Sequence, residues 1–208
     1  MKVFQIEDGM CYWDATNQFP TISSTIGSFP SDVTFVEAPD FVFEGWGYNA
    51  EETGDERFIK PTPPDGWFYD EKTGTFSTQN PLDVYKQQAI DSSKLMLEEY
   101  LSTHPITWTD GRQYSITRDK QQQLTSKILS ATISQQTSTP YTLTWNSTGA
   151  ECTTWELSDL MALAFAIDAR VTALVSYQQA QEIAINAAQT QEELDAIVVD
   201  YDTVEASQ

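Results

Sequence analysis

Histidine and cysteine are scarce in this sequence, and their scarcity excludes several kinds of site. One histidine, His104, and two cysteines, Cys11 and Cys152, occur among 208 residues. A single histidine rules out a metal centre built from several histidines, and its place beside Pro105 at a predicted helix end favours a structural role. Two distant cysteines are too few for the disulfide framework of a small secreted domain. Because no basic residue flanks either cysteine, we predict that both are buried and unreactive.

Basic residues are also few. The chain has 11 lysines and arginines against 31 aspartates and glutamates, which gives a formal net charge of −20. The negative electrostatic potential of such a chain repels the phosphate backbone of nucleic acids, so we expect no nucleic-acid partner. We find no apolar run of membrane-spanning length and no basic-plus-apolar signal segment. The expectation is therefore a soluble protein of a reducing cytoplasm, without a membrane partner.

The common motifs of catalysis are missing as well. There is no Gly-x-Ser-x-Gly segment and no glycine-rich phosphate loop. The densest carboxylates, Glu51-Glu52 and Asp70-Glu71, fall on predicted turns, whereas a catalytic carboxyl pair such as that of a glycosidase needs burial or a partner. We predict no enzymatic activity, no catalytic residue, no cofactor and no metal.

The sequence contains one short motif that occurs twice. Box 1, from Gly45 to Phe58, begins Gly-Trp-Gly-Tyr-Asn, and box 2, from Gly66 to Phe76, begins Gly-Trp-Phe-Tyr-Asp; each then has an acidic residue, Thr-Gly and a Phe. In each box the Asn or Asp starts a turn and the later Gly supplies a positive φ, so both boxes are predicted to be hairpins. The Trp and Tyr stand two residues apart and so share one strand face.

The composition changes near residue 78 and divides the chain in two. Residues 1–78 read as about six short strands, opening with a hairpin over Lys2–Trp13, and predict a small all-β domain filled by aromatic rings. The structure of residues 14–32 is left open. Residues 79–208 carry about four helical patterns and two hairpins, one of them turning at Asp110-Gly111. The predicted fold class is therefore α+β.

Four residues or pairs mark the helix starts of the second domain. They are Pro81, Thr117, Ser158-Asp159 and Thr190. The third helix carries an apolar seam at positions 160, 164, 167, 171 and 174, which is typical of a core stripe and equally fits a self-association face, so a homo-oligomer is one alternative. The acidic tail from Asp200 is expected to fray.

Several passages resemble proteins of tailed-phage tails. Residues 108–124, 145–163 and 187–197 resemble a domain of unknown function in those proteins, over about residues 82–199. Box 2, with the Pro-Pro-Asp that precedes it, is similar to boxes of tail-fibre assembly proteins. The resemblance implies a protein that binds a tail fibre or another tail protein and helps a trimeric fibre fold or attach. It would work in the host cytoplasm, with retention in the virion as an open alternative. Such proteins have no agreed catalytic residues.

The rings of the two boxes are the candidate partner-binding residues. They are Trp46, Tyr48, Trp67, Tyr69 and Phe68. The same Trp and Tyr rings would also fill a small β domain, and we favour that core role for the four of them. Phe68 lies on the opposite strand face from Trp67 and Tyr69, so it is the better candidate for an exposed contact.

Three functions are compatible with these patterns. The leading hypothesis is a non-enzymatic tail-fibre assembly protein, or chaperone. The alternative is a permanent structural component, such as an adaptor of the tail, fibre or baseplate. A third hypothesis is a carbohydrate-binding module, because paired Trp rings can stack on sugars.

Overall fold

The computed structural model describes residues 1–204 and has an α+β fold, as predicted. The contacts divide the chain into two compact units between Val84 and Tyr85. Strands dominate the first unit, whereas the second combines helices with two hairpins.

The first unit is built on a five-stranded antiparallel sheet. Its strands are β1 (Lys2–Glu7), β2 (Met10–Asp14), β3 (Thr34–Ala38), β4 (Gly47–Tyr48) and β5 (Phe58–Ile59), in the order β3-β1-β2-β4-β5. The predicted opening hairpin is confirmed: β1 pairs with β2, and Asp8 and Gly9 make the turn with φ of 50° and 73°. A separate hairpin follows, formed by β6 (Phe68–Asp70) and β7 (Thr75–Ser77). The unit thus has seven strands, where about six were predicted.

One face of this sheet carries the core of the first unit. Phe4 on β1 pairs with Val36 on β3, and both are buried. The buried residues of this cluster are Phe4, Cys11, Val36, Ala38, Val42, Trp46 and Phe58. Two of these seven belong to box 1, so box 1 helps to form the core.

The sequence left the structure of residues 14–32 open, and most of this segment is a long connection between β2 and β3, residues 15–33. It contains a short helix, α1 (Ile22–Thr25), and two rings, Phe19 and Phe29. These rings pack with Trp13 of β2 and Phe35 of β3 at centroid distances of 4.9 to 6.4 Å. Phe35 is adjacent to Val36, and successive residues of a strand point to opposite faces, so these rings lie on the second face of the sheet.

The second unit has the two hairpins and four helices that the sequence predicts. The elements are α2 (Pro81–Thr103), β8 (Ile106–Thr107), β9 (Gln113–Tyr114), α3 (Arg118–Thr137), β10 (Thr144–Trp145), β11 (Thr153–Thr154), α4 (Leu157–Ala187) and α5 (Gln191–Asp195). A 3-10 turn follows at Tyr201–Thr203. Strand β8 pairs with β9, and β10 pairs with β11. Gly111 lies in the first hairpin turn with a φ of 78°.

Three of the four predicted helix starts are confirmed. Pro81 is the first residue of α2, and the side chains of Thr117 and Thr190 accept the capping hydrogen bonds of α3 and α5. The prediction of Ser158-Asp159 as the cap of α4 is wrong. The helix begins at Leu157, and the preceding residue makes no side-chain cap. Residues 158 and 159 therefore lie in its first turn, where an acidic side chain is still favourable.

The apolar seam of α4 is a core stripe. Leu160, Ile167 and Leu174 of the seam are buried in the main cluster of this unit, and Ala164 and Val171 pack against it. These side chains are covered by the chain itself, as in a core stripe. The core interpretation of the seam is therefore correct.

Helix α4 is also long and apolar enough, by length and composition, to cross a membrane. It has 31 residues, and its most apolar window has a mean hydropathy of 1.5. This contradicts our expectation that no apolar run approaches membrane-spanning length. Core helices of soluble proteins pass the same test, and five apolar side chains of α4 are buried: Leu160, Leu163, Ile167, Leu174 and Ile185.

The segment after α5 is packed, contrary to the predicted fraying from Asp200. Tyr201 is buried, and its hydroxyl donates to the carbonyl of Ser93 on α2 at 2.9 Å. Arg170 of α4 donates to the Val204 carbonyl and, at 2.8 Å, to the Tyr100 hydroxyl. These bonds hold residues 201–204 against the helices. The rest of the predicted tail, residues 205–208, lies outside the described residues.

Candidate partner-binding surface

The two boxes begin with the same turn. The N–H of Trp46 bonds the carbonyl oxygen three residues earlier at 3.3 Å, and the N–H of Trp67 does the same at 2.9 Å. Gly45 and Gly66 occupy the third position of these turns with φ of 84° and 77°. A type II turn requires positive φ at that position, which glycine adopts without strain. The sequence repeat is therefore a structural repeat from its first residue.

The second turn of each box also follows the prediction. The side-chain oxygen of Asn49 accepts the N–H two residues later at 3.0 Å, and that of Asp70 accepts the equivalent N–H at 2.8 Å. Gly54 and Gly74 then take φ of 61° and 70°. Box 1 returns through a 3-10 turn into β5, whereas the shorter box 2 returns directly into β7.

The two boxes differ in what surrounds them. Box 1 lies beside β2 in the large sheet: the Cys11 N–H donates to the Trp46 carbonyl at 2.8 Å, and the Tyr48 N–H donates to the Gly9 carbonyl at 2.7 Å. Box 2 forms its two-stranded sheet with its own return strand, β7. The same local pattern thus has a central position in one copy and a peripheral position in the other.

Side chains connect box 1 to box 2. The indole N–H of Trp46 donates to the hydroxyl of Tyr69 at 2.5 Å. Lys60, just after β5, forms an ion pair with Glu71 in the turn of box 2, and its ammonium group lies 5.0 Å from the centroid of the Tyr69 ring. The Trp46 to Tyr69 bond satisfies a donor that the core would otherwise leave without a partner.

Gly74 brings box 2 against the ring of Phe43. A Cβ atom at position 74 would lie 2.3 Å from Cγ of Phe43, which is far inside van der Waals contact. The ammonium group of Lys2 also lies 4.1 Å from the centroid of the Phe43 ring. Gly74 is therefore required both for its positive φ and for this close approach.

A row of four rings runs across the two boxes. Phe41 contacts Trp46 at 5.9 Å between centroids, Trp46 contacts Tyr69 at 6.4 Å, and Tyr69 contacts Phe76 at 5.5 Å. Tyr69 and Phe76 are cross-strand partners on β6 and β7. Trp46 is buried, whereas the end rings, Phe41 and Phe76, are 51% and 41% exposed.

The structure separates the five candidate residues. Trp46 is a core residue, and Tyr48 and Tyr69 are half-buried against the same cluster, as the core interpretation predicts. Phe68 is 43% exposed, so the prediction that it is accessible is confirmed. The core role predicted for Trp67 is wrong, because its side chain is 45% exposed.

Sequence reasoning missed two further accessible rings. Phe41 and Phe76 belong to the same row but were not among the candidates. The sequence contained enough information to find Phe76. The predicted hairpin of box 2 places Phe76 on the return strand, opposite Tyr69. Trp67, Phe68 and Phe76 are the exposed rings of box 2, and we call these three residues the box 2 surface.

The two thiol groups of the chain differ in burial. Cys11 is buried, and burial raises its pKa to about 11, so it is an unreactive thiol as predicted. The same prediction is wrong for Cys152, which is exposed.

In the second unit, burial and then the nearby Asp110 carboxylate raise the pKa of Tyr114 to about 12. The Asp110 carboxylate accepts hydrogen bonds from the backbone N–H of Arg112 and from the Tyr114 hydroxyl. These bonds lower the pKa of the Asp110 carboxyl group. Among residues 1–204, no group of three or more His, Cys, Asp and Glu side chains could hold a metal ion.

The comparison with protein families concerns the second unit. The family model described as a domain of unknown function (DUF4376) matches residues 82–201, more than half of the chain. The chain belongs to the DUF4376 family. No curated protein and no solved structure matches it.

The DUF4376 match begins at the second residue of α2 and ends at the buried Tyr201. Its span is close to residues 82–199, the range over which we predicted a domain of phage tail proteins. The DUF4376 description gives no function, so the phage-tail resemblance stays a prediction. Box 1 and box 2 precede the DUF4376 segment, and the family match does not describe them.

Within DUF4376, the single histidine has structural contacts. The ring of His104 stacks on Tyr100 at 4.0 Å between centroids, with 5° between the planes. Its backbone N–H donates to the Tyr100 carbonyl at 2.9 Å, and its Nε2 lies 3.8 Å from Asp202. His104 therefore ends α2 next to the packed C-terminal segment.

Proposed function

We propose that this protein is a non-enzymatic tail-fibre assembly protein that binds a phage tail fibre, or another tail protein, through the box 2 surface. One observation carries the proposal. Trp67, Phe68 and Phe76 are 41–45% exposed, although the equivalent tryptophan of box 1 is buried. Box 1 buries its tryptophan in the core, whereas box 2 exposes the equivalent tryptophan. The exposed rings of box 2 are therefore available to a partner.

The chemistry of this surface suits protein recognition. Trp, Tyr and Phe are enriched in the centres of protein interfaces, and a few such residues contribute most of the binding free energy. Phe76 pairs with Tyr69 and shares its face of the hairpin, and Phe68 is on the other face, so a partner can contact both faces.

The box 2 surface is also held in place before binding. Three contacts fix the box 2 hairpin to the rest of the first unit. They are the Trp46 to Tyr69 hydrogen bond, the Lys60 to Glu71 ion pair and the contact of Gly74 with Phe43. A surface that is already ordered loses less conformational entropy on binding. These contacts support a docking role and involve no catalytic group.

The proposed setting is the host cytoplasm during tail assembly. The strong negative charge of the chain favours solubility at the concentrations that assembly needs. In this proposal the first unit contacts the fibre, and the DUF4376 unit acts as a scaffold.

Binding to the neighbouring tail fibre tests the proposal. The variants Trp67→Ser and Phe68→Ser are compared with the wild type in co-purification with the tagged fibre. We expect each variant to weaken binding by about thirtyfold, since truncating a ring at the centre of an interface costs about 2 kcal/mol. Leu95→Ser is the matched control, because Leu95 is 71% exposed and lies in the second unit.

Three outcomes would redirect the proposal. Unchanged binding by both variants, with an unchanged melting temperature, would remove the box 2 surface from the interaction. Stoichiometric amounts of the protein in purified particles, measured by mass spectrometry, would make it a permanent tail component. Binding to a glycan array that is lost in Trp67→Ser would instead support sugar stacking on the exposed Trp67.

A further inference from the structure

The second unit contains a polar groove between α3 and the hairpin of β10 and β11. Its volume is about 640 Å³, which lies within the range of small-ligand sites. One wall is the stripe of α3 from Asp119 to Ser130, and Tyr141 and Trp145 lie on the hairpin side. We call it the α3 groove.

Two lysines of the α3 wall extend their side chains toward the hairpin. The ammonium group of Lys120 lies 5.3 Å from the centroid of the Trp145 ring, and that of Lys127 lies 3.4 Å from the hydroxyl oxygen of Thr144. Both lysines are half-buried, and within residues 1–204 neither forms an ion pair. Asp119 is the one acidic residue of the lining, so the groove carries a net charge of +1 in a chain of net charge −20.

The groove also presents hydrogen-bonding groups that the fold does not use. The side chains of Gln122, Gln123, Ser126 and Ser130 line it. All four are exposed, and none makes a hydrogen bond within the described part of the chain. Amide and hydroxyl groups of this kind can bond the backbone of an extended peptide.

We propose that the α3 groove binds an extended acidic peptide segment of a partner protein. Lys120 and Lys127 are seven residues apart, so they lie on one helix face about 10 Å apart along the axis. Three residues of an extended polyproline-II segment span about 9 Å and return to the same face. Two carboxylates separated by two residues therefore have nearly the same spacing as the two lysine positions along the helix axis.

Other ligands fit the groove less well. Trp145 is 5% exposed and one face of its ring lies under Lys120, so it has no free face on which a sugar could stack. A long nucleic acid would be repelled by the net negative charge of the whole chain. A short carboxylate-bearing segment contacts the groove itself, where two lysines outweigh the one carboxylate of Asp119. This site is separate from the box 2 surface, and its test does not depend on the fibre.

An NMR titration of the full-length, ¹⁵N-labelled protein tests the proposal. The probe is a blocked Asp-Ala-Ala-Asp peptide, titrated to about 10 mM so that millimolar affinity is detected. We expect saturable shifts of the α3 amides and of the Trp145 indole N–H. The neutral Asn-Ala-Ala-Asn peptide should give none.

Charge variants locate the contact. Lys120→Gln and Lys127→Gln should each weaken binding about tenfold, as expected for the loss of one charged hydrogen bond. Lys94→Gln is the control, because Lys94 lies on α2 and pairs with Glu182; its affinity should be unchanged.

Three results would overturn the proposal. They are shifts of equal size with the neutral peptide, no shift in the α3 groove with the acidic one, or tighter binding of an oligothymidylate with the same number of charges. The last result would assign the groove to nucleic-acid phosphates.

Discussion

Substituting Gly74 by alanine tests how box 2 is attached to the first unit. The new Cβ would lie 2.3 Å from Cγ of Phe43 and 2.5 Å from its Cβ. Because the Cβ of Phe43 is fixed by its backbone, rotation of the ring alone does not relieve the clash. Forcing an extra carbon into a packed site costs about 1–3 kcal/mol, and a non-glycine residue at φ of +70° adds about 1–2 kcal/mol. We expect a total loss of about 2–5 kcal/mol.

Gly54→Ala is the matched control in box 1. Gly54 occupies the equivalent position with φ of +61°, but no atom lies within 4 Å of the place that a Cβ would take there. Only the backbone cost of about 1–2 kcal/mol should remain. The assay is urea unfolding followed by the indole N–H resonance of Trp46, which reports on the first unit. Equal losses for the two variants would refute the close approach of Gly74 to Phe43.

Three further predictions concern single groups. Tyr69→Phe should cost about 1–3 kcal/mol in urea unfolding, because the indole N–H of Trp46 loses its partner in a buried site. Thiol titration at pH 8 should label Cys152 at once and Cys11 only on unfolding, since burial raises the pKa of Cys11 to about 11. The pKa of Tyr114 is about 12 in the fold and about 10 in the unfolded chain; its contribution to stability, present below pH 10, should therefore be lost between pH 10 and 12.

Each of these predictions has its own control. Tyr48→Phe should leave stability nearly unchanged, because the Tyr48 hydroxyl makes no hydrogen bond within residues 1–204; a loss equal to that of Tyr69→Phe would contradict the first prediction. Two thiols that label at the same rate in the folded protein would contradict the second. Tyr114→Phe should flatten the alkaline profile, and an unaltered profile would contradict the third.

The turns of the boxes could be predicted because residues within a few positions determine them. Asn49 and Asp70 each accept an N–H two residues later, and Gly54 and Gly74 take positive φ. These are local preferences, and they do not depend on the rest of the fold. The α+β class followed in the same way from local periodicity.

The burial of the boxes could not be predicted, because it depends on the order of the strands. The two sequences are nearly equivalent, yet Trp46 is held beside β2 and Trp67 is exposed on a separate hairpin. The same limit applies to the α3 groove. The spacing of Lys120 and Lys127 shows that they share a helix face, but only the position of β10 reveals a groove beside it.

The yield of soluble, trimeric tail fibre on co-expression tests the central claim most directly. The fibre is expressed alone, with this protein, and with its Trp67→Ser/Phe68→Ser variant, and trimers are quantified by size-exclusion chromatography. We predict a high yield with the wild type and a low yield with the variant or with no partner. Equal yields in all three cultures would contradict the proposed assembly role.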